Sequence, residues 1–337
     1  MAFFIPFAAI NLVMPFIMIL GGFGFMIGTG GSALIAKTLG EGRHKLANRY
    51  FSMLIIMTVI LGFFLTTIGI VFARRVSILL GATDVMLDDC VIYLRTVLLF
   101  ISPFMLQNVF QSFLVTAQKP HAGLIVTIIA GLTNMSLDAL FIVVFRWGVA
   151  GAALATGISQ CIGGLLPLIL FLGKNDSLLH LVPTRLEWRP FFLSCTNGMS
   201  ELMGNISSSI VSMLYNFQLL NYAGENGIAA YGVLMYVQFI FIAVFFGYTI
   251  GVGPVIGYHY GAGNHAELKN LLRKSLKLNI ITGISMTILA NLFAGALSRI
   301  FVGYDPELYA MTKSAFHIFA LSFLVCGINI FASAFFT

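Results

Sequence analysis

Apolar residues run through nine long stretches of this chain, and charged residues gather between them. The stretches are 3–37, 50–73, 91–116, 122–145, 149–172, 191–220, 229–258, 278–299 and 309–336. A helix needs about 20 mainly apolar residues to cross the hydrocarbon core of a bilayer. Each stretch reaches that length, so the pattern predicts nine transmembrane helices. Runs of this length satisfy their backbone polar groups inside lipid as helices, and the predicted fold class is all-α and polytopic. The first stretch is crowded with Gly21, Gly22, Gly24, Gly28, Gly30 and Gly31. Small residues let neighbouring helices approach closely, so a packing surface is expected here rather than a loop.

Composition agrees with a membrane protein. Hydrophobic residues make up 59% of the chain and charged residues only 9%, against roughly 25% charged in soluble domains. A soluble globular protein is excluded. Basic residues orient the helices. One set of connections carries Lys37, Arg43, Lys45, Arg49, Lys119, Lys174, Arg185, Arg189, Lys269, Arg273, Lys274 and Lys277, and the alternate set only Arg74, Arg75, Arg146 and Arg299. Basic residues accumulate on the cytoplasmic side. Connections 38–49, 117–121, 173–190 and 259–277 are therefore predicted to be cytoplasmic, in a multi-pass protein of a bacterial plasma membrane. The net charge of +6 reflects this topology and needs no nucleic-acid partner. Met1 leads into the first apolar run without a basic stretch, so no cleaved signal peptide is expected. Cys90, Cys161, Cys195 and Cys326 lack metal-binding spacing and read as small core residues.

The chain also repeats itself. Gly40-Glu41-Gly42-Arg43-His44 returns as Gly261-Ala262-Gly263-Asn264-His265, an offset of 221. Arg75-Val76-Ser77-Ile78-Leu79-Leu80-Gly81 resembles Leu297-Ser298-Arg299-Ile300-Phe301-Val302-Gly303, an offset of 222. Both copies have one orientation, which predicts two parallel lobes related by a pseudo-two-fold along the membrane normal. The expected boundary is the longest cytoplasmic connection: an N-terminal lobe over 1–173, a loop over 174–190 and a C-terminal lobe over 191–337. Applying the offset to 191–220 places its counterpart before Met1, and the counterparts of 122–145 and 149–172 fall beyond Thr337. Six helices per lobe are thus expected, with about nine of twelve present in a chain cut at both ends.

Only two acids, Asp138 and Glu201, lie deep inside an apolar stretch. An ionisable residue at membrane depth is costly and marks a functional site by default. Asn134 and Asp138 are four residues apart and share a helix face. The short connection 146–148 makes 122–145 and 149–172 a hairpin, which sets Thr156 about level with Asp138. A carboxylate, an amide oxygen and a hydroxyl suit Na⁺ or a shared proton. The bland alternative is a hydrogen-bonded cluster that holds the hairpin together. On 191–220, Asn197, Glu201, Asn205, Ser208, Ser212 and Tyr215 follow helical spacing and form one polar stripe. Such a stripe faces a partner helix or a water-filled cavity. The choice between a proton or substrate site at Glu201 and an interhelical seam stays open. Helix 229–258 carries Tyr231, Met235, Tyr236, Phe239 and Phe245; aromatic and methionine surfaces suit organic cations. Asn205, Ser208, Tyr215, Met235 and Tyr236 are the candidate substrate contacts.

Gly28-Thr29-Gly30-Gly31-Ser32 lacks the lysine of a P-loop, and no HExxH or Ser-His-Asp pattern occurs. No cofactor is expected beyond a coupling ion, Na⁺ or H⁺, and no metal beyond Na⁺ at Asn134, Asp138 and Thr156. No enzymatic activity is expected.

Three runs carry a family resemblance: Leu39-Gly40-Glu41-Gly42-Arg43, Asn134-Met135-Ser136-Leu137-Asp138, and Gly148-Val149-Ala150-Gly151-Ala152-Ala153-Leu154-Ala155-Thr156. With Tyr258-His259-Tyr260-Gly261-Ala262-Gly263-Asn264, they make the chain resemble the multidrug and toxin extrusion (MATE) family along nearly its whole length. The resemblance implies a two-lobed secondary antiporter that exports cationic or amphipathic drugs against Na⁺ or H⁺ by alternating access. It implies that Asn134, Asp138 and Thr156 match the family's first-lobe cation site, and that Glu201 matches an acid on its seventh helix. The family's acid on the first helix has no counterpart here, nor has the acid some members carry on the tenth. A monomer is expected, with the bilayer and drug-like small molecules as partners. Alternatives are a lipid-linked oligosaccharide flippase of the same superfamily, a membrane-embedded transferase and an inactive truncated remnant.

Overall fold

The computed structural model describes residues 4–173 and 176–336. Among them every regular element is helical. In chain order these are α1 (Phe4–Gly40), α2 (His44–Leu79), α3 (Leu87–Leu98), α4 (Ile101–Thr116), α5 (Pro120–Asp138), α6 (Gly148–Leu172), α7 (Trp188–Asn197), α8 (Met199–Gly261), α9 (His265–Val302), α10 (Pro306–Phe319) and α11 (Phe323–Phe335). A π-helical turn, Ala139–Val144, follows α5, and a 3₁₀ turn, Ala320–Ser322, joins α10 to α11.

Seven of the described segments are long and apolar enough to cross a membrane, or eight if α3 and α4 count as one bent span. Two predicted elements differ in detail. The stretch 91–116 is expected as one helix, yet α3 and α4 bend by 56° at Leu99 and Phe100. Pro103 is the physical reason. It has no N–H to give to the carbonyl of Leu99, and its ring excludes that carbonyl from a continuous helix. The stretch 191–220 is not one unbroken helix. It is split at Gly198 into α7 and the start of α8.

The loops expected at 38–49 and 259–277 shrink, because α2 begins at His44 and α9 at His265. At about 1.5 Å per residue, the 38 residues of α9 exceed a hydrocarbon core about 30 Å thick. The basic residues 269–277 thus extend the helix beyond the apolar layer.

By packing, the first unit is Met1–Asn205 and the second Ile206–Thr337. In the first, α1 packs against α2, α3, α4 and α7, and α6 packs against α3, α4 and α5. The glycines of α1 make the close approaches. A methyl group at Gly24 would lie 2.8 Å from the carbonyl of Met105, and one at Gly30 would overlap the carbonyl of Ser194. Deep in this unit Phe51 meets Phe113 and Phe171, with ring centroids 5.4 Å and 4.9 Å apart. In the second unit Val233, Leu234, Val237, Ala294 and Phe316 form one apolar cluster.

α8 does not run straight. The rings of Tyr215 and Tyr231 stack with centroids 5.4 Å apart and planes 9° from parallel. Sixteen residues of straight helix would hold them about 24 Å apart. A methyl at Gly227 would lie 3.3 Å from the carbonyl of Leu219, eight residues earlier. The helical chain therefore doubles back between them, where the outer connection 221–228 is expected.

The sequence repeat is visible locally in both units. α1 and α8 end at Gly40 and Gly261, and α2 and α9 begin at His44 and His265. Between them Gly42 and Gly263 take the left-handed conformation, with φ of +76° and +68°. That region costs little for glycine alone. The bend between α3 and α4 likewise answers the 3₁₀ turn between α10 and α11.

Candidate functional site

The hairpin of α5 and α6 builds the first site. It turns at Arg146, Trp147 and Gly148, where Arg146 and Gly148 have φ of +57° and +56°. Phe141, Phe145 and Trp147 stack at its tip, with Phe141 and Trp147 centroids 4.9 Å apart. Half-exposed aromatic rings beside an arginine fit a membrane–water interface. Asp138 is the last residue of α5. In the π turn that follows, the N–H of Phe145 donates to the carbonyl of Leu140 at 2.9 Å. Single π turns within helices occur often at functional sites. The uninterrupted helix expected over 122–145 thus changes its winding at the acid itself.

Asn134, Asp138 and Thr156 are all half-buried. The structure adds a residue to them. Tyr93 of α3 is 2% exposed. Its hydroxyl interacts with the Thr156 side chain and lies in the field of the Asp138 carboxylate. A buried tyrosine hydroxyl needs a polar partner, and Tyr93 is the one tyrosine of 91–116. That signal was open to sequence reasoning but does not say which helix supplies the partner. Asp138 and Thr156 thus share one neighbourhood through Tyr93, with Asn134 one turn from Asp138. These side chains offer one carboxylate, one amide and two hydroxyls as oxygen donors. Among the described residues no three His, Cys, Asp or Glu side chains gather as a metal site.

Glu201 occupies a different setting from the one expected. Asn197 closes α7, and Glu201 lies in the first turn of α8. The polar stripe is therefore interrupted at Gly198, where a methyl group would overlap the carbonyl of Met26 in α1. A carboxylate in a first helical turn is favoured by the N–H groups that point at it. The side-chain amide of Asn205 donates to the backbone carbonyl of Glu201 at 2.8 Å. Ser208 is exposed. Tyr215 stacks on Tyr231, and Met235 lies one turn further along the same face. Tyr236 turns elsewhere and stacks on Phe301 of α9, with centroids 6.2 Å apart.

A sequence profile of the MatE family matches this chain twice, over residues 5–140 and again over 202–337. The chain belongs to the MatE family. This MatE protein is 27% identical over 328 residues to the multidrug export protein MepA of Staphylococcus haemolyticus (strain JCSC1435), across 96% of this chain and 71% of the relative. It is 28% identical over 271 residues to the MepA protein of Staphylococcus saprophyticus (strain ATCC 15305), covering 79% of this chain and 59% of the relative. The MatE chain thus spans 59% to 71% of the length of these relatives. A crystal structure of MATE in complex with MaL6 matches 98% of this chain and 74% of its own, with a TM-score of 0.91 at 21% identity. A MOP superfamily transporter from Pyrococcus furiosus matches with a TM-score of 0.84 at 21% identity, covering 98% of this chain and 76% of its own. At these identities the likeness speaks for the fold. With its apolar helices and staphylococcal relatives, this MatE protein is a multi-pass protein of the bacterial plasma membrane.

Proposed function

We propose that the chain forms part of a multidrug efflux antiporter that exchanges H⁺ or Na⁺ for cationic or amphipathic drugs. The grouping of Tyr93, Asp138 and Thr156 carries this reading. A carboxylate at membrane depth, bordered by neutral oxygen donors, is the arrangement a reversible monovalent cation or proton site needs. The doubled family match and the repeated turns at Gly42 and Gly263 support a two-lobed transporter. MepA, a multidrug export protein, supports the substrate class.

In this mechanism Asp138 exchanges its proton or Na⁺ from the outer side, with Asn134, Thr156 and Tyr93 supplying neutral oxygens. Gain or loss of that charge changes how α6 packs against α3 and α5. Alternating access follows if the two packings differ in which face is open. Glu201 serves protons or cationic substrate. Asn205, Ser208, Tyr215, Met235 and Tyr236 are candidate drug contacts.

The test is ethidium transport in proteoliposomes under an imposed H⁺ or Na⁺ gradient. The wild-type chain should move dye only with a gradient, and Asp138→Asn should abolish that movement. Dye movement by Asp138→Asn at the wild-type rate, with equal incorporation, would overturn the assignment.

A further inference from the structure

His317 stands alone in the sequence, but in the second unit it heads a chain of polar contacts. Its Nδ1 lies 2.6 Å from Oδ1 of Asn291 on α9. The amide nitrogen of Asn291 donates to the carbonyl of Thr287 at 2.8 Å. The Thr287 hydroxyl reaches the carbonyl of Ala320 at 3.1 Å, at the break between α10 and α11. The Asn291 amide nitrogen is committed to a carbonyl, so its oxygen faces the imidazole. An oxygen acceptor there requires the proton on Nδ1. In the neutral ring that leaves Nε2, on an exposed side chain, as the acceptor.

The depth is informative. His317 lies eleven residues past Pro306, and Asn291 eleven before Val302. At 1.5 Å per residue both are about 17 Å from the outer helix ends, near the middle of the apolar layer. Subtracting the repeat offset of 221 from Asn291 and His317 gives Ile70 and Thr96. The helix framework recurs, but the titratable pair belongs to the second copy alone. The nearest charged neighbour is Lys313, one turn outward on α10; its Cε lies 3.9 Å from where a methyl of Gly295 would stand, beside the Tyr309 hydroxyl. On α9 Arg299 lies two turns outward from Asn291, and on α8 Tyr236 stacks against Phe301. Among the described residues no carboxylate faces His317 from α8, α9, α10 or α11. Asp305 and Glu307 stand at the start of α10, about three turns away.

We propose that His317, braced by Asn291, is a proton-binding site of the second unit. A proton taken up at Nε2 leaves the Nδ1 bond to Asn291 intact, since both ring nitrogens donate in the charged form. The site holds its geometry in both states, and the charge changes at mid-membrane. The coupling role rests on the antiporter reading above, with the proton as coupling ion. It gives the unit Ile206–Thr337 a titratable group, as Asp138 does for Met1–Asn205.

Two measurements test the proposal. The first is nitrogen NMR of ¹⁵N-histidine-labelled protein in lipid nanodiscs, with the His317 signals assigned by their loss in His317→Asn. Expected is an Nδ1 that stays protonated, and an Nε2 that passes from bare to protonated as pH falls from 9 to 5. An Nε2 in one state throughout, or a bare Nδ1, overturns it. The second is ethidium movement under a fixed pH gradient. Asparagine at 317 keeps a donor near the Nδ1 position but cannot take the proton, so the flux should fall about tenfold, within the usual range of coupling between sites. Wild-type flux in that variant overturns the coupling role. If wild-type protein moves no dye under any gradient, the antiporter reading fails, while the NMR titration still decides whether His317 binds a proton.

Discussion

Thr66 and Thr287, 221 residues apart, each set a hydroxyl beside a carbonyl at a broken segment, one in each half of the repeat. Thr66 donates its hydroxyl to the carbonyl of Leu98 at 2.8 Å, whereas the Thr287 hydroxyl is shared between the carbonyl of Gly283 on its own helix at 2.8 Å and that of Ala320 at 3.1 Å. Each carbonyl stands where a spanning segment is broken. A broken segment loses backbone hydrogen bonds that lipid cannot replace, so a neighbouring hydroxyl stabilises the bend. Thr66→Val and Thr287→Val should each destabilise the protein by about 1 kcal/mol, read as a lowered thermal midpoint in detergent. No change in either variant would mean that water reaches these carbonyls.

Tyr93 belongs to the cluster around Asp138 through its hydroxyl alone. Tyr93→Phe keeps the ring and its burial but removes the contact with Thr156. A lost hydrogen bond of about 1 kcal/mol corresponds to roughly fivefold weaker cation or proton binding. The expected outcome is a higher gradient requirement for ethidium efflux at normal protein levels. Wild-type behaviour would remove Tyr93 from the site.

The glycine face of α1 is a packing surface. Gly24→Val would press against the backbone of Met105, which cannot rotate away as a side chain would. Overpacking of this kind costs about 1–3 kcal/mol. Poorer folding yield and a lower thermal midpoint are expected, whereas Gly42→Ala, whose methyl group would meet nothing within 4 Å, should cost only about 1 kcal/mol for its left-handed backbone.

The reversal within α8 can be checked by distance. In a background without the four native cysteines, a Tyr215→Cys, Tyr231→Cys pair should cross-link with a short bifunctional reagent. A straight helix would hold the pair about 24 Å apart and give no product.

Much of this architecture was legible along the chain. Burial in lipid demands long apolar runs, and the positive-inside bias requires no knowledge of packing. The repeat declared itself because Gly42 and Gly263 must adopt a backbone that few other residues tolerate. The acids Asp138 and Glu201 stood out because a charge at membrane depth is never free. The bend at Leu99 was legible too, since Pro103 stands four residues later, yet hydropathy alone runs straight through it.

What the chain could not disclose depends on which helices meet. Tyr93 is an ordinary aromatic until α3 packs against α6 and brings its hydroxyl to Thr156. Gly198 breaks the polar stripe because α1 presses its Met26 carbonyl there, a contact between residues 172 positions apart. His317 is isolated in sequence and acquires Asn291 only when α9 and α10 lie side by side. Hydrophobicity and local backbone preference are properties of short segments, so the sequence alone determined the long apolar helices and the repeat. Hydrogen bonds and close approaches between distant segments depend on relative placement in three dimensions, so tertiary structure decided the neighbours of Asp138, Glu201 and His317.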